Sequence, residues 1–250
     1  MGDRAHVRGG WRGASAFLTF RHHEKPSTLR SVPKRFLPLL CLALVFSGCG
    51  SVPREPRNLY TLKQELIAYV DSGEYERQIA AVAARAKAWL EIRAQTPARP
   101  GEKLTVVFDL DETLLFNVAH IRSRDFGYVP EVWSAWTQQG AAPPIEPVRE
   151  VYRTASRLGF DVVFITGRRE RERPGTEKNL RAIECADYVA LICKPNDAKG
   201  TSAAFKTAER ARLVSQGCVI VANIGDQESD LVGGFAERTF KLPNPFYIAE

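Results

Sequence analysis

The sequence predicts an α/β fold, a three-layer sandwich in which helices cover both faces of a central parallel sheet. At 250 residues the chain is long enough for one large α/β domain or two small ones. Several short runs are apolar throughout, as strands are when a sheet is buried on both faces. These runs alternate with segments of helical periodicity, which is the order of elements in a parallel sheet.

Two helices are expected before the sheet begins. Apolar residues recur at helical spacing over 62–70 and again over a longer, alanine-rich run at 79–90. Pro97 and Pro100 end the second helix. The first strand is the apolar run 104–110. The later elements alternate as helix 148–158, strand 162–165, helix 176–183, strand 189–192, helix 203–214, strand 219–224 and a short strand at 239–242.

One segment, about 117–147, breaks this alternation. It is long, is interrupted by prolines and carries the aromatic residues Phe126, Tyr128, Trp133 and Trp136. We expect a small helical cap inserted over the carboxyl ends of the strands, where open α/β sheets bind ligands. The rings could stack on a nucleotide base or pack the cap's own small core, and the sequence leaves both alternatives open.

The positive charge of the chain lies in its first residues. The net charge is +6. Residues 1–48 hold eight Lys and Arg against two acidic residues, which is also +6, so the rest of the chain sums to zero. The body therefore has no bulk attraction for polyanions, and we expect no nucleic-acid polymer as partner.

The same region has the pattern of an export signal. A basic pair, Lys34 and Arg35, precedes an apolar run at 36–46 that is too short to span a bilayer as a stable helix. Ser47, Gly48 and Cys49 follow, and this order resembles a bacterial lipobox. It predicts a leader over 1–48, a lipid on Cys49, a short tether over 49–57 and a globular domain over 58–250.

A lipidated protein of this kind would be anchored in the bacterial cell envelope, at the outer membrane, or otherwise would be periplasmic. An uncleaved membrane anchor and a buried apolar segment remain as alternatives.

The clearest chemical motif is VVFDLDETLLFN at 106–117, where a buried strand runs into Asp109 and Asp111. Carboxylates at the end of an apolar strand need a cation or hydrogen-bond donors. Because side chains two residues apart in a strand point the same way, the two charges repel, which also favours a bound cation. Hard oxygen ligands suit Mg²⁺. The alternative is that these carboxylates cap the start of a helix.

Three further polar features follow later strands. Thr166 and Gly167 form a turn that could bind an anion or could be a plain strand-to-helix turn. Lys206, within FKTAER, could reach a pocket or lie on the surface. Asp226 and Asp230 would share one helix face if a helix begins at Asp226, although helix capping is the simpler alternative.

The order of these features along the chain is more specific than any one of them. Because a parallel sheet brings the carboxyl ends of its strands to one edge, these residues should meet in one pocket. Four carboxylates, a hydroxyl and an ammonium suit a metal-assisted phosphate site.

These residues resemble the haloacid dehalogenase-like (HAD-like) superfamily, and within it the DDDD-type, class B/C-like, subfamily IIIB acid phosphatases. That group includes bacterial lipoprotein acid phosphatases and plant vegetative storage proteins. The resemblance covers roughly 58–250 and rests on the stretches FDLDETLL, ITGR, TEKNL, FKTAERARLV, NIGDQESDLVG and RTFKLPNP. It implies a Rossmann-like fold and a Mg²⁺-dependent acid phosphatase acting on small phosphate monoesters, with 5′-nucleotides among the candidates.

The resemblance also implies a role for each site residue. Asp109 is similar to the nucleophile that forms an aspartyl-phosphate, and Asp111 to the general acid and base. Thr166 and the Gly167 N–H resemble the phosphate-binding groups, and Lys206 the residue that orients the nucleophile. The expected metal ligands are Asp109, Asp111 through its carbonyl, Asp226 and Asp230.

One alternative is a catalytically silent phosphate-binding or storage-type lipoprotein of the same fold. A signalling receiver domain does not fit, because Asp226 and Asp230 follow Lys206 here.

Overall fold

The computed structural model describes residues 55–249. Its centre is one sheet of five strands, all parallel, in the spatial order β3-β2-β1-β4-β5. The strands are β1 (Lys103–Phe108), β2 (Asp161–Arg169), β3 (Ala190–Lys194), β4 (Cys218–Gly225) and β5 (Thr239–Lys241). The predicted α/β fold with a central parallel sheet is confirmed.

Helices lie on both faces of this sheet. They are α1 (Leu59–Asp71), α2 (Glu74–Arg93), α3 (Val118–Ser123), α4 (Pro130–Gln139), α5 (Glu146–Arg157), α6 (Arg173–Ala182), α7 (Ser202–Ser215) and α8 (Glu228–Leu231). Successive side chains of β1 point to opposite faces of the sheet and contribute to two separate hydrophobic cores. Phe108 joins the larger core with residues of α2, α5 and α6, whereas Val107 packs with Leu213 of α7 on the opposite face.

Strand β2 is longer than the sequence predicts. Its pairing with β3 shifts register after Thr166 and resumes where Arg169 lies beside Lys194. The irregularity comes at the carboxyl edge, where Gly167 is exposed. Because the strand continues past Thr166, Arg168 lies at this edge, where its guanidinium group contacts Asp111.

The 117–147 segment contains α3 and α4, and it packs against α6. The closest approach is at Gly175, where a Cβ atom would lie 2.3 Å from the carbonyl oxygen of Thr137. Gly140 ends α4 in the left-handed region, at φ 58°, and faces the same helix. The cap therefore depends on close backbone contact that only glycine permits.

Over residues 55–249 we find no helix with the length and apolarity that a membrane crossing requires. The predicted leader at 1–48, Cys49 and the tether up to residue 54 lie outside the described residues.

Candidate active site

Three buried carboxylates lie together at the carboxyl edge of the sheet, and one lysine contacts two of them. Asp109 follows β1, Asp226 follows β4 and Asp230 lies in α8. Lys206 on α7 places its Nζ 2.5 Å from Oδ1 of Asp109 and 2.6 Å from Oδ1 of Asp230. Thr201 caps the start of α7 through a 3.2 Å hydrogen bond from the Ala204 N–H, which fixes the helix that carries the lysine.

The charges of this cluster suit a divalent cation. Asp109, Asp226 and Asp230 each offer a carboxylate oxygen within 4.8 Å of the others. Three carboxylates against the Lys206 ammonium leave a formal excess of two negative charges, in a place where burial penalises charge. Carboxylate oxygens are the donors that Mg²⁺ prefers. The residues present therefore fit such an ion, held by Asp109 and Asp226 with Asp230 in support.

The pKa values of the cluster reflect burial and mutual repulsion. Burial and the nearby carboxylates of Asp230 and Asp226 raise the pKa of Asp109, and Lys206 opposes this rise. Burial and Asp230 raise the pKa of Asp226 to about 7. Although burial works against the charged lysine, Asp109 and Asp230 raise the pKa of Lys206 above its ordinary value. A bound cation would favour the ionised carboxylates.

Asp226 is held by donors from three parts of the chain. Its Oδ1 accepts the Thr113 hydroxyl at 3.0 Å, and its Oδ2 accepts amide N–H groups of Gln227 and Asn244, both at 2.7 Å. Helix α8 begins at Glu228, two residues later than the helix considered from the sequence. Asp226 and Asp230 therefore approach each other across a turn rather than along one helix face.

Asp111 is not among the three clustered carboxylates and is paired with an arginine. Arg168 Nη2 lies 2.6 Å from Asp111 Oδ1, and Arg168 Nε lies 3.0 Å from Oδ2. Asn117 Nδ2 donates to the same Oδ1 at 2.9 Å. Oδ2 thus accepts from Arg168 alone, whereas Oδ1 is shared between two donors. The Asp111 side chain is therefore engaged by Arg168 and Asn117, and the metal-ligand role expected of its backbone carbonyl stays a prediction.

Thr166 and Gly167 lie inside β2, at its register shift and next to this arginine, so the expected strand-to-helix turn is not found here. The Thr166 hydroxyl oxygen is buried and accepts the Arg168 backbone N–H at 3.1 Å. Gly167 is exposed, and no atom lies within 4 Å of where its Cβ would be. The strand is open enough at Gly167 for an anion to approach its backbone.

Behind Asp111, the buried residue Glu112 anchors the turn that follows β1. Its backbone is left-handed, at φ 55°. Its carboxyl group accepts the Asn117 N–H at 2.8 Å and the Tyr247 hydroxyl. Burial and the neighbouring Asp111 raise the pKa of Glu112 to about 8. No helix begins at Asp111, so the capping alternative is wrong for this carboxylate.

Aromatic rings of the cap form a row that leads to Asp111. Trp136 Nε1 donates to Asn117 Oδ1 at 2.8 Å, and the His120 ring stacks on Trp136 with 5.0 Å between centroids. Trp133 lies 5.7 Å from His120 and 6.3 Å from Tyr128, which is 70% exposed. The rings of this row therefore pack on one another within the cap, and the ring of Tyr128 at the end of the row is exposed to solvent.

Several residues that hold the site were not predicted from the sequence. Arg168 stands inside the quoted ITGR stretch and Asn244 inside RTFKLPNP, but neither was given a role. Asn117 and Gln227 were also overlooked. The sequence did contain a signal for Arg168. Arg168 directly follows a predicted strand and the Thr166–Gly167 pair that could bind an anion, so its cationic side chain should point into the same pocket.

A parallel sheet with a buried carboxylate after its first strand, and with lysine and carboxylates on later elements, is typical of a HAD-like fold. Residues 54–250 match the model of the HAD superfamily, subfamily IIIB (acid phosphatase), and the chain belongs to that family.

Relatives in plants support the same assignment. The chain is 38% identical over 146 residues to acid phosphatase 1 of Solanum lycopersicum, covering 56% of this chain and 57% of the relative. It is 36% identical over 145 residues to vegetative storage protein 1 of Arabidopsis thaliana, covering 56% and 54%. The chain thus spans somewhat more than half the length of these relatives.

Solved structures share the fold. The class C acid phosphatase from Bacillus anthracis superposes with a TM-score of 0.60 at 23% identity, covering 74% of this chain and 86% of that one. At this identity the likeness shows the architecture alone.

Proposed function

We propose that this protein is a Mg²⁺-dependent acid phosphatase that hydrolyses small phosphate monoesters through an aspartyl-phosphate on Asp109. The observation that carries the proposal is the pairing of Asp109 with Lys206, at 2.5 Å, inside a cluster of three carboxylates. The resemblance and the family assignment support the same chemistry.

In the first step an Asp109 oxygen attacks phosphorus, a new P–O bond forms and the ester P–O bond breaks. Lys206 orients the carboxylate and offsets charge on the phosphoryl oxygens. Thr166 and the Gly167 N–H, at the register shift of β2, bind those oxygens. When bound, Mg²⁺ neutralises the repulsion between the carboxylate and the phosphate dianion.

Asp111 moves the proton in both steps. It donates a proton to the departing alcohol oxygen, then accepts one from the water that attacks the aspartyl-phosphate and releases inorganic phosphate. Because Oδ1 already accepts from Asn117 and Arg168, Oδ2 is the oxygen better placed to carry that proton.

For the leaving group, we propose a planar one, and 5′-nucleotides are the first candidates. Tyr128 is largely exposed at the end of the aromatic row, and the row is linked to Asp111 through Trp136 and Asn117. An exposed ring near the general acid suits stacking on a base.

The central test replaces the nucleophile. Asp109→Asn should lower kcat/KM for para-nitrophenyl phosphate and for 5′-AMP by at least about 10³-fold, because the covalent step is lost. The matched control is Asp161→Asn, at the amino end of β2, which should leave the rate unchanged. Chelation with EDTA should abolish turnover, and added Mg²⁺ should restore it. Normal turnover by the Asp109→Asn variant would rule out the mechanism.

A second candidate is a silent phosphate-binding protein, which the similarity to vegetative storage proteins favours. It predicts that the unmodified protein binds Mg²⁺ and phosphate without hydrolysing any ester in a broad panel.

We also propose that the protein is exported and anchored by lipid on Cys49 in the bacterial cell envelope, at the outer membrane. The lipobox-like order Ser47, Gly48 and Cys49 supports this proposal. Labelling cells that express the full chain with radioactive palmitate should mark the membrane-bound protein, and Cys49→Ser should lose the label. Label retained by the Cys49→Ser variant would contradict the assignment.

A further inference from the structure

A segment near the carboxyl end of the chain, residues 243–249, reaches back to the carboxylate cluster. Asn244 Nδ2 donates to Asp226 Oδ2 at 2.7 Å, across 18 positions of sequence. Asn244 Oδ1 accepts the Phe246 N–H at 2.9 Å, which fixes the orientation of the amide. Asn244 therefore presents its N–H₂ group to one of the proposed metal ligands.

The backbone around Asn244 is restricted before any contact is made. Pro243 and Pro245 flank the residue. Proline fixes its own φ, and a residue that precedes proline is confined to extended conformations. Little backbone entropy is then lost when this part of the segment is held in place.

The rest of the segment is anchored at several points. Phe246 is buried and packs edge-on against Tyr75 of α2, with 5.2 Å between ring centroids. The Tyr247 hydroxyl donates to Glu112, so the same segment also holds the turn behind Asp111. Gln227 Oε1 accepts the Ala249 N–H at 3.2 Å. The segment thus contacts the turns that follow both β1 and β4.

These contacts restrict how Asp226 can bind a cation. A carboxylate has about four acceptor positions. Thr113, Gln227 and Asn244 occupy three of them. We propose that Asn244 is a positioning residue, which holds the Asp226 carboxylate in the orientation that leaves its remaining acceptor position for Mg²⁺.

This inference rests on the proposed metal site and can fail separately from it. Partners that orient metal-binding side chains typically contribute about 10–100-fold to metal affinity. We expect Asn244→Ala to weaken Mg²⁺ binding by about this factor. With a phosphate ester at saturation, its rate should recover as Mg²⁺ is raised, whereas a general structural defect would lower the rate at every Mg²⁺ concentration.

The experiment is calorimetric titration of the metal-free, full-length protein with Mg²⁺. The matched control is Asn196→Ala. Like Asn244, Asn196 accepts a backbone N–H through its Oδ1, here from Arg171 at 2.9 Å. Unlike Asn244, it is exposed and makes no hydrogen bond to Asp226. Asn244→Ser serves as a second variant if the alanine variant unfolds, since serine retains a local hydrogen-bonding group but is too short to reach Asp226.

The outcomes separate the two proposals. Weaker Mg²⁺ binding by the Asn244 variants, with Asn196→Ala unchanged, supports the positioning role. Equal binding by the Asn244 variants and the unmodified protein overturns that role and leaves the metal site intact. An unmodified protein that binds no Mg²⁺ overturns both.

Discussion

Replacing Lys206 with methionine removes a cation that bridges the carboxylates of Asp109 and Asp230. Methionine has a similar length, so the main change is the loss of charge. The lysine side chain is 6% exposed and its Nζ lies 2.5 Å and 2.6 Å from the two oxygens. Leaving a buried charge without its partner typically costs about 3–5 kcal/mol of unfolding free energy.

The loss should be visible as a lower melting temperature. For a domain of this size, about 2–4 °C is lost per kcal/mol, so Lys206→Met should melt roughly 6–20 °C lower. The measurement is thermal and urea unfolding in EDTA, so that no divalent ion compensates. Lys199→Met, at an exposed position before α7, is the control and should change stability by less than about 0.5 kcal/mol.

The pH dependence has a definite sign. Burial raises the pKa of Asp109, and Lys206 lowers it. Removing Lys206 therefore raises the pKa of Asp109 further. A carboxyl group whose folded pKa is raised loses stability as the pH rises from its unfolded value through its folded value. The deficit of Lys206→Met should therefore be larger at pH 8 than at pH 5. A deficit below about 1 kcal/mol at pH 8 would refute the reasoning.

Further predictions concern the neighbouring elements. Arg168→Lys should lower kcat by about 10-fold or more, because a lysine cannot reproduce the two-point contact that orients Asp111. An unchanged kcat would contradict the idea that Arg168 orients Asp111. Gly175→Ala should cost at least about 2 kcal/mol in urea unfolding, since its Cβ would lie 2.3 Å from a cap carbonyl; an unchanged midpoint would contradict the packing. In EDTA, Glu112→Gln should gain stability relative to the unmodified protein as the pH rises from 4.5 to about 8, the ordinary and buried pKa values of Glu112. A constant difference between the two unfolding curves over that range would exclude the buried acid.

The sequence by itself predicted the sheet and the set of residues at its edge. Asp109 and Asp226 each follow an apolar run, and Lys206 lies in a periodic segment between two such runs. Because parallel strands bring their carboxyl ends to one edge, topology alone draws these residues together. The structure shows that Asp109, Lys206, Asp226 and Asp230 do lie together.

Only the tertiary structure decided which donors hold each carboxylate. Arg168 joins Asp111 because β2 shifts register and continues past Thr166, and Asn244 joins Asp226 because the chain turns back after β5. The donors of these hydrogen bonds lie where turns and loops place them, and turns and loops have no periodic pattern in the sequence. The sheet edge is set by repeated local patterns, whereas the donors around it are set by where non-repeating segments come to lie.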